Sequence, residues 1–200
     1  VDAAANLSSA SSNSVTVATT ATPYWQLIAR QVDSDNFTNV TDELFWDNVS
    51  ITYLQNENDN SSSKFMSIGN LNPSNYVTDG KYKFRLEWDG LEVDNLTIKE
   101  VIWTQTSWLT DSTYDDSGFQ EIGVSGFSST GLDDGHRFVG LWKSTHAKCV
   151  FDGDGGGHPN WWNCVGAIGI HPQGGEEGIP GPKQKIASSM KLYIWSPSNL

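Results

Sequence analysis

Positive charge is scarce in this sequence. Twelve Lys and Arg stand against 24 Asp and Glu in 200 residues, which gives a formal net charge of −12 and a pI near 4.5. A surface of that sign repels polyphosphate, so nucleic acid and anionic membrane surfaces are not expected as partners. No apolar run approaches the roughly 18 residues of a membrane-spanning helix, so no membrane span is expected. No secretory leader is visible, and the chain reads as beginning after a cleavage site. A sustained helical period is missing too, over any window of about twelve residues, which leaves little room for a helical fold.

Catalytic signatures are equally thin. There is no G-x-S-x-G, no phosphate-binding loop and no convincing Cys–His dyad. Acidic residues adjoin at Asp115-Asp116, Asp133-Asp134 and Glu176-Glu177. Neighbours in an extended chain point apart, whereas glycoside hydrolysis needs two acids facing one substrate. His136, His146, His158 and His171 share no zinc-type spacing. The expectation is a protein that is not an enzyme.

The first 22 residues lack aromatics and Gly altogether and carry one charge, Asp2. From Ser8 to Thr22, nine of fifteen positions are Ser or Thr. Such a segment cannot bury enough apolar area by itself to offset the entropy of ordering it. Its small and β-branched side chains nevertheless suit an extended, narrow strand. In Ser14–Thr19, Val15, Val17 and Thr19 fall on one face and Ser14, Thr16 and Ala18 on the other. If its partner is the sheet of another copy, the chain is a polymer subunit, with Leu7, Val15 and Val17 entering shallow pockets. If it has no partner, it is a tail.

Only two cysteines occur, Cys149 and Cys164. A disulfide between them would close a loop of about fifteen residues and contribute on the order of 3 kcal/mol; two free buried thiols are the alternative. Six triplets fit the N-glycosylation pattern, at Asn6, Asn36, Asn39, Asn48, Asn60 and Asn95. Chance would give about three. Covalent N-glycans and an extracellular, secreted location are the expectation.

What is abundant is β signal. Tyr24–Val32 reads as the first strand and Lys81–Trp88 as the clearest one, since four apolar residues there alternate with four charged ones. Asp89-Gly90 marks the turn after it. Ile98–Thr106 reads as a strand buried on both faces, and further strands are expected at Phe119–Val124, Arg137–Trp142, Lys148–Phe151, Val165–Ile170 and Ile186–Trp195. Thr41–Trp46 could form a capped helical turn and Asn48–Leu54 a strand. The Gly- and Pro-rich run Gly178–Pro182 reads as a turn. The expected fold is all-β, a jelly-roll-like β-sandwich over residues 23–200 behind an extended N-terminal arm over 1–22.

Nine Trp is a high count. Trp88, Trp103 and Trp195 sit inside strand patterns and are assigned to the core. Trp161 and Trp162 lie in a Gly-rich loop, where they could anchor the loop or stack on a sugar. The run from Asp152 to Asn160 begins Asp-x-Asp-Gly, and Asp152 with Asp154 could open a calcium loop. No terminal bidentate Glu follows, and a Gly-rich turn is the simpler reading. Calcium is the one cofactor for which the sequence offers a candidate.

The landmarks also come in a recognisable order. They are Tyr24–Gln31, Asp79–Trp88, Trp103–Ser107, Asn160-Trp161-Trp162, and Gly178–Pro182 leading into Leu192–Trp195. Across roughly residues 24 to 195 this resembles a Trp-rich jelly-roll family of secreted proteins from aquatic microorganisms. It is similar as well to the protomers of glycosylated extracellular filaments recovered from pond water. The resemblance implies no catalytic motif. It implies a subunit whose N-terminal segment docks into the next copy, giving a homopolymer. The alternative function is a secreted carbohydrate-binding, lectin-like module, with Trp161 or Trp162 on the sugar and the arm as an O-glycosylated stalk.

Overall fold

The computed structural model describes residues 22–32, 64–90, 100–111, 116–124, 138–143, 150–155, 165–166, 169–170, 177–181 and 185–197. They form an all-β, sandwich-like structure of antiparallel sheets, in which the only helical pieces are short 3-10 turns such as Ile68–Asn70 and Pro73–Asn75. The strands are β1 (Tyr24–Val32), β2 (Lys64–Met66), β3 (Tyr82–Asp89), β4 (Glu100–Gln105), β5 (Gln120–Val124), β6 (Phe138–Lys143), β7 (Phe151–Asp154), β8 (Gly169–Ile170), β9 (Glu177–Gly181), β10 (Lys185–Ala187) and β11 (Ser189–Ser196). Six of them make one sheet in the order β2-β1-β11-β3-β4-β5. Opposite it lie a β10-β9-β8 sheet and a β6-β7 pair, whose apolar residues join the same core cluster.

Period-two alternation builds the large sheet. Phe84, Leu86 and Trp88 of β3 point into the core, while Lys83, Arg85 and Glu87 occupy the outer face half-buried. β11 repeats the rule: Met190, Leu192 and Ile194 are buried and Lys191, Tyr193 and Trp195 lie on the other side. Phe138, Leu141, Phe151, Val165, Ile179 and Ala187 close the core from the second layer. Rings bridge the layers: Phe84 lies 5.5 Å from Trp103, which meets Phe138 edge-on at 5.0 Å.

The first and last strands are neighbours, paired antiparallel from Tyr24↔Ser196 to Val32↔Ser189. A bulge at Ile28 shifts the register between Leu27 and Ala29 and inverts the phase of β1. Before it Trp25 and Leu27 face outward; after it Ala29 and Gln31 face inward, at 4% and 3% exposure. Ile28, the extra residue, is fully buried.

A single carboxamide ties the layers together. Gln105, at the end of β4 and 2% exposed, accepts from Trp103 Nε1 and Leu141 N, both at 2.8 Å. It donates from Nε2 to Leu141 O at 2.6 Å and Ser107 O at 2.9 Å. All four of its hydrogen-bonding valences are therefore used. This supplies the middle of β6 with partners it lacks in β7, because the β6–β7 register shifts between Phe138 and Trp142. Gly140 makes the approach feasible. Its φ is +94°, and a Cβ there would stand 2.6 Å from Gln105 Oε1.

Four expectations need correction. β4 is not buried on both faces but alternates, with Ile102 half-buried on the outer side, because a second layer covers one face only. Trp195 is not a core residue; its parity with Lys191 and Tyr193 places it on the outer face. Gly178–Pro182 is not simply a turn, since Gly178 through Gly181 lie in β9 and pair with β8 and β10. The strand expected at Lys148–Phe151 begins at Phe151 and runs on to Asp154, where it meets β6.

Candidate functional site

Most residues singled out in the sequence lie outside the described residues: the sequon asparagines Asn6, Asn36, Asn39, Asn48, Asn60 and Asn95, the arm residues Leu7, Val15 and Val17, Trp161 and Trp162, and Cys149 and Cys164. Thr41–Trp46 and Asn48–Leu54 also fall there. The residues that follow the two cysteines are described and meet. Val150 N and Phe151 N both donate to Val165 O, at 3.0 and 3.1 Å, and Val165 N returns a bond to Phe151 O at 2.9 Å. Val150 and Phe151 are thus paired with Val165. Asp152 and Asp154 sit on β7, opposite Trp142 and Phe138 of β6, rather than in an open loop. Asp152 is 3% exposed. Among the described residues no three His, Cys, Asp or Glu converge as a metal site would require.

The outer face of the large sheet carries an aromatic and cationic layer that the strand patterns place row by row. Trp25 pairs with Trp195, and the rings meet edge-on at 5.2 Å. Lys83 Nζ stands over both indoles, 5.5 Å from Trp25 and 5.0 Å from Trp195. One row along, the Arg85 guanidinium lies 5.0 Å from the Trp25 ring and 4.3 Å from that of Tyr193, its register partner. Arg85 Nε is 3.1 Å from Glu87 Oε1, close enough for an ion pair though not aligned as a hydrogen bond. Burial, then the charge of Glu87 and its hydrogen bond, push the Tyr193 hydroxyl up to about 12, against a smaller opposing pull from Arg85. Each cation–π contact is worth about 0.5–1 kcal/mol at such half-exposed positions. The alternation that marks Lys83 and Arg85 as outward-facing also places Tyr193 and Trp195 on that face, by parity along β11.

The sheet's two ends differ. β2 is three residues long, with Phe65 and Met66 only 2% and 1% exposed. β5 has five residues and, among the described strands, pairs with β4 alone. Its register slips at Ile122, between Ile102↔Gly123 and Trp103↔Glu121. Ile122 is 51% exposed, and no atom lies within 4 Å of where a Cβ on Gly123 would be. At the other end of the chain, Thr22, Pro23 and Tyr24 are all exposed, so β1 is entered from the surface.

No protein-family model, curated protein or solved structure matches this chain.

Proposed function

We propose that this chain is the structural subunit of an extracellular glycoprotein filament, a secreted jelly-roll domain that assembles head-to-tail when its N-terminal arm enters the sheet of a neighbouring copy. The observation that carries the reading is the exposed root of the arm. Thr22 and Pro23, and Tyr24 at the start of β1, are all exposed. The preceding residues have the composition of a strand without a core of its own. Main-chain hydrogen bonds to an open edge would then supply the linkage. Arm and acceptor are different surfaces, so the contact is heterologous and propagates unless it closes into a ring.

Jelly-roll topology is supported by the pairing of the first strand with the last in a sheet that faces a second β layer. A Cys149–Cys164 disulfide is supported by the hydrogen bonds between Val150, Phe151 and Val165, which bring the segments beside the two cysteines together. Glycans on the six sequons would coat the fibre and keep neighbours apart. The test is a chain beginning at Pro23. It should sediment as a soluble monomer, and polymerisation of that variant would remove the arm as linker.

A further inference from the structure

We propose that the outer face of the large sheet binds a single acidic sugar, its carboxylate held by Lys83 and its ring packed against Trp25 and Trp195. The inference stands apart from the assembly reading and gives the domain a ligand of its own.

Register gathers the groups. Trp25 pairs with Trp195, and Tyr193 of the same strand pairs with Arg85. β1, β11 and β3 are neighbours in the sheet, so three rings and two cations meet on one face from three adjacent strands. All five side chains are half-buried, and each keeps part of its surface in solvent.

Charge then decides which end of this face takes an anion. The other cations on the face are matched: Lys191 Nζ is 2.9 Å from Asp89 Oδ2, and Arg85 Nε is 3.1 Å from Glu87 Oε1. Among the described residues, Lys83 Nζ is met by two rings and by no carboxylate. A ring face is a weaker partner than an oxygen, so the three ammonium donors are left for an anion. Glu87, with Glu100 opposite it, lies four residues along β3, about 13 Å away at about 3.3 Å per residue. That exceeds the screening length of about 8 Å at physiological salt, so the Lys83 end is locally positive although the chain carries −12.

The rings choose the ligand class. A bare anion would need the cation alone. Two indoles beside that cation add apolar surface, against which the C–H face of a pyranose packs. A polymer of acids would bring its other charges against the acidic remainder of the chain. One uronic acid residue, as at the end of a glycan, satisfies both constraints.

The test titrates the full-length chain with glucuronate at constant ionic strength and reads Trp fluorescence, with glucose and acetate as controls. Glucuronate should give a saturable change, and each control should bind about tenfold more weakly because it offers half of the recognised chemistry. Lys83→Gln should weaken glucuronate about tenfold, through loss of one charge-assisted contact, and leave glucose binding as in the parent. Lys191→Gln, whose charge is already matched by Asp89, should bind glucuronate like the parent. A denaturation curve for each variant checks that it folds. Acetate binding as tightly as glucuronate would overturn the proposal. So would a folded Lys83→Gln protein with undiminished affinity, or the absence of any saturable response.

Discussion

Replacing Gln105 by Leu removes one amide and strands several groups at once. Leu has nearly the same volume, so little cavity forms, and the loss falls on hydrogen bonding. Leu141 N and O sit beside a side chain that is 1% exposed, and Trp103 is fully buried, so water cannot replace the lost partner. Ser107 O belongs to a half-buried residue and can be rehydrated. Each buried orphan costs about 1–3 kcal/mol, and burying an apolar side chain instead of an amide returns part of that. The expected net loss is about 3–5 kcal/mol, which for a chain of this size lowers Tm by roughly 6–20 °C. Denaturant unfolding of the two proteins with equal slopes is the assay. Gln105→Glu keeps two acceptors but loses the donors facing Leu141 O and Ser107 O. It should regain part of its lost stability on acidification, when the carboxyl recovers a proton. A loss below about 1 kcal/mol for Gln105→Leu would refute the idea that this amide holds the two layers together.

Other expected outcomes follow the same geometry. Gly140→Ala sets a Cβ 2.6 Å from Gln105 Oε1 at a φ of +94°, and should destabilise by about 2 kcal/mol or more in the same unfolding assay. Tyr193 in the folded state titrates near 12 against an ordinary value of 10.0. Its contribution to stability is present below pH 10 and is lost as pH rises through about 12, since the unfolded chain gives up its proton first. Tyr193→Phe should therefore be less sensitive to alkali than the parent, read as stability against pH with tyrosinate absorbance as the parallel signal. Reduction of the proposed Cys149–Cys164 bond should raise the intact mass by two hydrogens and cost on the order of 3 kcal/mol. An unchanged mass on reduction would mean free thiols.

The parts of the fold that could be read in advance are those where one physical signal dominates. β1 runs over Tyr24–Val32 and β3 over Tyr82–Asp89, within a residue of their alternating or apolar patterns. The bulge at Ile28 was invisible, because an extra residue leaves composition unchanged and only the partner strand reveals the inverted phase. Gln105 reads as a polar strand end until Leu141 is brought beside it by chain 36 residues away. β9 is disguised by its own residues: Gly and Pro flank Ile179, so no period exists, yet Ile179 is fully buried. The bulk of Trp195 suggests the core, whereas register with Trp25 sets its face. The arm, the sequons and Trp161-Trp162 are legible as composition and motif, and all of them lie outside the described residues.

Negative-stain electron microscopy of the purified protein bears most directly on the proposed assembly. Uniform unbranched filaments with one subunit per repeat are the expected image. A field of dispersed single particles, even at high protein concentration, would contradict it.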